Sequence, residues 1–429
     1  MLADCIVTNA QEVITCAGPA PKRGADQANA RPIAQAAVAA YEGRIVFVGS
    51  QGACARQVTH APACTVIDAT GCAVVPGFVD PHTHLVYAGD RRNELRRRLA
   101  GASYASIAAD GGGIVATMRA TRHCEEDRLS ASARVRLDEM LRCGTTTCEV
   151  KSGYGLTTDT ELKLLRVIRR LSDEGPIELV PTFMGAHEIP PEYRERRDAY
   201  VRLIIHEMIP RVAAEGLAEW CDVFCEAGVF TVEESREILR AGLASGLRPR
   251  IHADELGPSG GARLAAELRA RSADHLIFVE RDAARAMADA GTVATLLPGA
   301  AFYLKLGRFA PARMLIDEQV PVALATDVNP GAGFTPSMPF VVALACFGMG
   351  LTLEEALVGA TINAAYALGR DGRLGSLEVG KQMDLVIVNG SVVELLRPGA
   401  PSIRTVIKRG RVVCGADRPA SPLRTDLPS

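Results

Sequence analysis

The chain lacks any long apolar run. Its longest apolar stretch, near Phe340 to Leu351, falls well short of the roughly 20 residues a membrane-spanning helix needs. It also lacks an excess of charge: 48 Lys and Arg against 50 Asp and Glu leave a formal net charge of −2. That balance gives no basic field for nucleic acid and no polybasic patch for a membrane surface. The start, Met1 to Thr8, has neither the basic residues nor the apolar core of a secretion signal, so the expected location is the cytoplasm. Paired cysteine motifs are missing too. The twelve cysteines are scattered singly apart from Cys221 and Cys225, which have no second pair to complete a structural zinc site; reduced, packed thiols are expected. No repeat of solenoid length is present. Gly111-Gly-Gly113 is not followed by Lys-Ser/Thr, which argues against a phosphate loop and leaves it as a mobile loop over a site. These absences point to a small-molecule partner.

At 429 residues the chain is long enough for one large domain and a smaller one, because single cores stop growing at roughly 250 to 300 residues. Between about residues 75 and 370, short apolar runs alternate with amphipathic helices, the pattern of parallel βα units. Eight strands are expected: Val74 to Asp80, Thr145 to Lys151, Glu178 to Met184, Cys221 to Cys225, Arg248 to His252, Ala273 to Ile277, Val293 to Leu297 and Val322 to Thr326. Eight such units predict an α/β fold, a (β/α)8 TIM-like barrel. Thr158-Asp-Thr-Glu161, Thr231-Val-Glu-Glu234 and Thr352-Leu-Glu-Glu355 fit the capping box that starts a helix, and Gly175-Pro176 ends the first of these helices. Short strands at Cys5 to Thr8, Arg44 to Val48, Thr65 to Ile67, Asp384 to Val388 and Thr405 to Val413 predict a small β-sandwich built from both termini. The expected division is 1–75 and 371–429 for the sandwich and 76–370 for the barrel. Ala17 to Ala37 has few large apolar residues and is expected to be a surface loop.

Five of the eight histidines, His82, His84, His187, His252 and His275, lie at or just past the ends of candidate barrel strands. Those ends converge on one face of a barrel, where active sites are built. His82 and His84 are two apart and share a strand face. With His252 and Asp327 they supply three imidazoles and one carboxylate, a set that suits zinc or iron(II) and leaves a place for water. A metal lowers the pKa of such water to about 7, which makes hydrolysis the natural reaction. Glu255 follows His252 by three residues and is the candidate general base and proton carrier, with His275 orienting the water or sharing its proton. Arg91 lies seven residues past His84, and its planar fork suits a substrate carboxylate. Lys151 in Lys151-Ser-Gly-Tyr-Gly155 invites comparison with a carboxylated lysine bridging two metals, but no further histidine pair supplies a second ion. One metal per subunit is the simpler reading.

With these residues assembled, the chain resembles the amidohydrolase superfamily and, within it, the imidazolonepropionases. The resemblance rests on Pro76-Gly-Phe-Val-Asp-Pro-His-Thr-His84, Gly111-Gly-Gly-Ile114, Gly144-Thr-Thr-Thr147, Glu149-Val-Lys-Ser-Gly-Tyr-Gly-Leu156, Gly185-Ala-His187, His252-Ala-Asp-Glu255, Ala273-Asp-His-Leu276 and Asp327-Val-Asn-Pro-Gly331. His-x-His alone marks only the superfamily, whereas Lys-Ser-Gly-Tyr-Gly and Asn-Pro-Gly are more specific. The resemblance implies hydrolysis of 4-imidazolone-5-propanoate to N-formimidoyl-L-glutamate in histidine degradation, by a homodimer with one zinc or iron ion per subunit. It implies that His82, His84, His252 and Asp327 hold the metal and that Glu255, His275 and Asp327 are catalytic. Arg91 would take the propanoate, while Tyr154 and His187 would bind the ring and its carbonyl. Asn329, Gly331 and Ala332 would meet the product carboxylate through amide groups. Ala332 departs from the Ser or Thr usual there, so a hydroxyl contact is lost. The competing expectations are a metal-dependent deaminase of a guanine- or cytosine-like ring, which needs no carboxylate clamp, and a non-catalytic barrel kept as a binding module.

Overall fold

A computed structural model of the chain describes residues 1–102, 106–107 and 110–417. Its terminal strands are β1 (Leu2–Ile14), β2 (Pro32–Tyr41), β3 (Arg44–Ser50), β4 (Thr59–Asp68) and β5 (Ala73–Pro76). Eight short strands follow in the middle of the chain: β6 (Phe78–Asp80), β7 (Thr145–Lys151), β8 (Glu178–Ala186), β9 (Trp220–Cys225), β10 (Arg248–Ala253), β11 (Ser272–His275), β12 (Val293–Leu296) and β13 (Val322–Leu324). The chain ends on β14 (Leu385–Val388), β15 (Ile403–Lys408) and β16 (Arg411–Gly415). Strands β6 to β13 form one parallel sheet in chain order, with helices between them. The seam between β13 and β6 is held by Asp80, whose carboxylate accepts from the Thr326 amide (3.1 Å) and hydroxyl. Past it, the His84 and Asp327 amides donate to the carbonyls of Val328 and His82. The (β/α)8 architecture expected from the sequence is present.

The strands of the two termini form one mixed eight-stranded sheet in the order β16-β15-β14-β5-β1-β2-β3, with β4 also pairing β1. Val7, Val38, Ile45, Ile67, Val74, Leu385 and Ile407 pack in one apolar cluster, so both ends of the chain share a core. Residues 418–429 of the expected C-terminal segment lie outside the described residues.

Three expectations change. The run Val74 to Asp80 is not one strand: it breaks at Gly77, with β5 pairing β14 and β1 in the terminal sheet and β6 opening the barrel. A side chain at 77 would lie 2.5 Å from Thr146, so glycine lets the chain pass from one sheet to the other. Ala17 to Ala37 is a surface loop only in part. Part of it is β2, which pairs with β1 through small, buried alanines. Upstream, Gln27 is fully buried: its amide donates to the Val322 carbonyl (2.9 Å), accepts from the Val322 N–H (3.2 Å) and accepts from Asn363 (2.9 Å). Lack of large apolar residues hid a segment that packs through small side chains and side-chain amides. Finally, Thr231/Glu234 and Thr352/Glu355 do form capping boxes, but the helix Thr158–Glu174 is capped one residue earlier, by Thr157, which frees Glu161 for another task.

Candidate active site

Asp222 and Asp274 decide how the histidines present themselves. Strand β9 is buried along its length. It turns Cys221, Val223 and Cys225 one way and Asp222 and Phe224 the other, with Cys221 packed where helix Val232–Ala244 brings Gly242 close. Asp222 Oδ1 lies 3.1 Å from His252 Nδ1, and Asp274 Oδ2, on β11, lies 2.7 Å from His82 Nδ1. An ionised carboxylate only accepts, so both rings carry their proton on Nδ1 and turn a bare Nε2 inward. There His82 Nε2 and His84 Nε2 are 3.3 Å apart, His84 Nε2 and His252 Nε2 3.4 Å. Asp327 Oδ1 stands 3.7 Å from the Nε2 atoms of His82 and His84. Burial, reinforced by neighbouring cations and imidazoles, drives His82 and His84 well below the usual imidazole range, so each ring stays neutral and keeps one nitrogen as an acceptor. Convergent lone pairs repel unless a cation sits among them. The three imidazoles therefore fit one metal ion, and the Asp327 carboxylate stands beside two of them.

Beneath this cluster lies a buried charge network that sequence reading passed over. Lys151 Nζ donates to Glu149 Oε1 and to Asp222 Oδ2, both at 2.6 Å. Arg250 Nη2 reaches Asp274 Oδ2 (3.3 Å) and the Pro81 carbonyl (2.8 Å). All five side chains are fully buried. Burial alone would raise the Asp222 carboxyl, but Lys151 and then His252 hold it well below the usual range. Lys151 is thus a counter-ion shared by two carboxylates, and single charges inside otherwise buried strands were the available signal for it.

The other candidates line a cavity beside the ligand cluster: Arg91, Tyr154, His187, Glu255, His275, Asn329, Gly331 and Ala332 all border it. His187 Nδ1 donates to the Gly153 carbonyl (2.9 Å), and its ring stacks on His84 with centroids 4.9 Å apart. Gly153 has φ +101° and a side chain there would meet His187 at 2.9 Å, so glycine is required. The loop Gly153–Leu156 is fixed by Glu161, whose oxygens accept from the amides of Gly153, Gly155 and Leu156 at 2.8 to 2.9 Å.

Glu255 Oε1 is 3.6 Å from His275 Nδ1, and Glu226 holds that loop by accepting from the Glu255 and Leu256 amides at 2.9 Å. Burial first, then Asp327 and Glu226, push the Glu255 carboxyl well up; burial raises Asp327 to about 8. Both His275 nitrogens are buried without a hydrogen-bond partner. His275 (φ +75°), Leu276 (+58°) and Asp327 (+57°) all hold left-handed backbone at this rim, where such strain is concentrated in functional sites.

Two expectations look different here. Asn329 organises its own loop: its Oδ1 accepts from the amides of Gly331 (2.8 Å) and Ala332 (2.6 Å), and its Nδ2 donates to the Asp327 carbonyl (2.8 Å). The amides expected to meet a carboxylate are engaged within the turn. Gly111-Gly-Gly113 is not a free loop at its end, because Gly113 opens the helix Gly113–Arg122 and donates to Glu94 Oε1 (2.9 Å).

The model of the amidohydrolase family matches residues 73–413. The chain belongs to the amidohydrolase family. Within the family it groups with the imidazolonepropionases. It is 50% identical over 413 residues to the one from Symbiobacterium thermophilum, covering 96% of this chain and 97% of that one. The imidazolonepropionase of Geobacillus kaustophilus is 50% identical over 412 residues, covering 95% and 97%. Among solved structures, a triazine hydrolase variant superposes with a TM-score of 0.74 at 18% identity, covering 98% of this chain and 96% of that one. A zinc-bound adenosine deaminase from Xanthomonas campestris gives 0.71 at 18%, covering 96% and 93%. These two show the shared amidohydrolase fold. No helix among the described residues is long and apolar enough to cross a membrane.

Proposed function

We infer that the protein is an imidazolonepropionase, a hydrolase that adds water across a ring C–N bond of 4-imidazolone-5-propanoate to give N-formimidoyl-L-glutamate. The observation that carries this reading is identity of 50% over nearly the whole of both chains to relatives of that name. The site's chemistry supports it. Arg91, buried at the cavity wall, takes the propanoate carboxylate. His187 has its Nδ1–H engaged by Gly153 and is held neutral, with burial taking its pKa to about 3. It therefore offers Nε2 as an acceptor, which suits a ring N–H better than the carbonyl oxygen. Tyr154 packs beside it, with ring centroids 5.2 Å apart, and forms a wall for the flat ring.

His82, His84, His252 and Asp327 would hold zinc or iron(II), which would supply Lewis acidity and lower the pKa of water at the site. Glu255 takes the proton from the attacking water and returns it to the ring nitrogen as the C–N bond breaks. His275, beside Glu255, orients that water with its partnerless nitrogens.

Metal-loaded protein should accelerate the loss of ultraviolet absorbance of freshly made imidazolone propanoate and yield formimidoylglutamate, whereas chelator-treated protein and His252→Ala should not. No acceleration with the ion verified as bound would overturn the reading. Arg91→Ala should lower kcat/KM by about 10- to 100-fold, the worth of a charged hydrogen bond. A loss below about twofold would point instead to a substrate without a carboxylate, such as the ring of a deaminase.

A further inference from the structure

Glu94 takes no part in the reaction as drawn, yet it is buried beside the cavity. Its Oε2 accepts from Arg91 Nε (3.0 Å) and Nη2 (2.8 Å), a side-on pair along one edge of the guanidinium. Its Oε1 accepts from the Gly113 amide at 2.9 Å, at the start of helix Gly113–Arg122, where a negative charge is favoured. The next residue, Ile114, lines the cavity. Side chains are excluded at both neighbouring glycines: a Cβ at Gly112 would lie 2.9 Å from Glu94 Oε1, and one at Gly331 would lie 2.4 Å from Arg91 Cζ. Arg91 is thus packed between a carboxylate on its edge and a glycine against its face. Three segments meet there: the one after β6, the glycine run, and the loop after β13.

We propose that Glu94 is a positioning residue that sets the pocket's selectivity for a carboxylate-bearing substrate. An arginine side chain loses much rotamer freedom when immobilised. Glu94 fixes the guanidinium before the substrate arrives, so that loss is not charged against binding. By holding Gly113 with its other oxygen, Glu94 also ties the Ile114 wall to the same guanidinium. The substrate's tail and ring are then gripped at a fixed separation. This proposal rests on the imidazolonepropionase reading.

Steady-state kinetics of the metal-loaded wild type, Glu94→Gln, Arg91→Ala and the double variant test it. Each is measured on imidazolone propanoate and on an analogue carrying ethyl in place of the propanoate. Glu94→Gln should raise KM for the propanoate by about tenfold and leave kcat within about twofold. Its kcat/KM on the ethyl analogue should barely move. In the Arg91→Ala background the Glu94 change should add much less than it does alone. Parallel losses on both substrates, or additive effects in the double variant, would make Glu94 a structural residue and overturn the proposal. Should Glu94→Gln fail to fold, Glu94→Asp, which keeps the charge and shortens the reach, carries the same expectation. A wild type inactive on the propanoate would sink the functional reading itself, and this proposal with it, a result distinct from either variant outcome.

Discussion

Glu255→Gln is expected to lower kcat by about 10²- to 10⁴-fold, the usual worth of a positioned acid–base group, while metal content stays at the wild-type level. Glutamine keeps the volume and the amide contacts that Glu226 makes with this loop, so the change removes the proton carrier and little else. Glu255 Oε1 lies 3.6 Å from His275 Nδ1, beside the residue that would share the proton. Retained metal with collapsed turnover would place the loss in proton transfer. A loss under about tenfold would move the carrier role to His275, and His275→Asn should then show the larger effect.

Lys151→Met should destabilise the metal-free protein by about 3–5 kcal/mol, the cost of leaving one side of a buried ion pair without the other. Glu149 and Asp222 both depend on that ammonium at 2.6 Å, and burial already pushes the Glu149 carboxyl up. The urea midpoint should fall. The ion should also be lost to chelator more readily, because an Asp222 no longer anchored by Lys151 releases His252 Nδ1; outer partners of this kind are worth about 10- to 100-fold in metal affinity. An unchanged midpoint together with unchanged retention would mean that the two carboxylates are held neutral and need no counter-ion.

The barrel was readable because the strands after β6 announced themselves locally. Thr145 to Lys151 was delimited to the residue, and five histidines at strand ends marked the catalytic rim. What could not be read were partners fixed only by closure of the barrel. Asp222 sits 30 positions from His252 and Asp274 sits 192 from His82, and nothing in either neighbourhood distinguishes an orienting carboxylate from a stray one. Glu94, Glu161 and Glu226 were invisible for a related reason. In sequence each looks like a helix-start or loop carboxylate, yet in space Glu161 and Glu226 gather backbone amides of site loops and Glu94 joins the Gly113 amide to Arg91. Gly77 shows the limit of apolar patterning, since one uninterrupted run crosses between two sheets.

The Gln27 amide that borders β13 reaches across 295 positions of chain, and the Asp80–Thr326 seam spans 246. On a ribosome that delivers the chain from its N-terminus, both halves of these contacts coexist only once β13 and the residues just after it have emerged. Closing such distant loops is the slow part of folding. Until then β6 lacks the partner strand that closes the barrel beside it, and an open sheet edge of this kind is a site for aggregation.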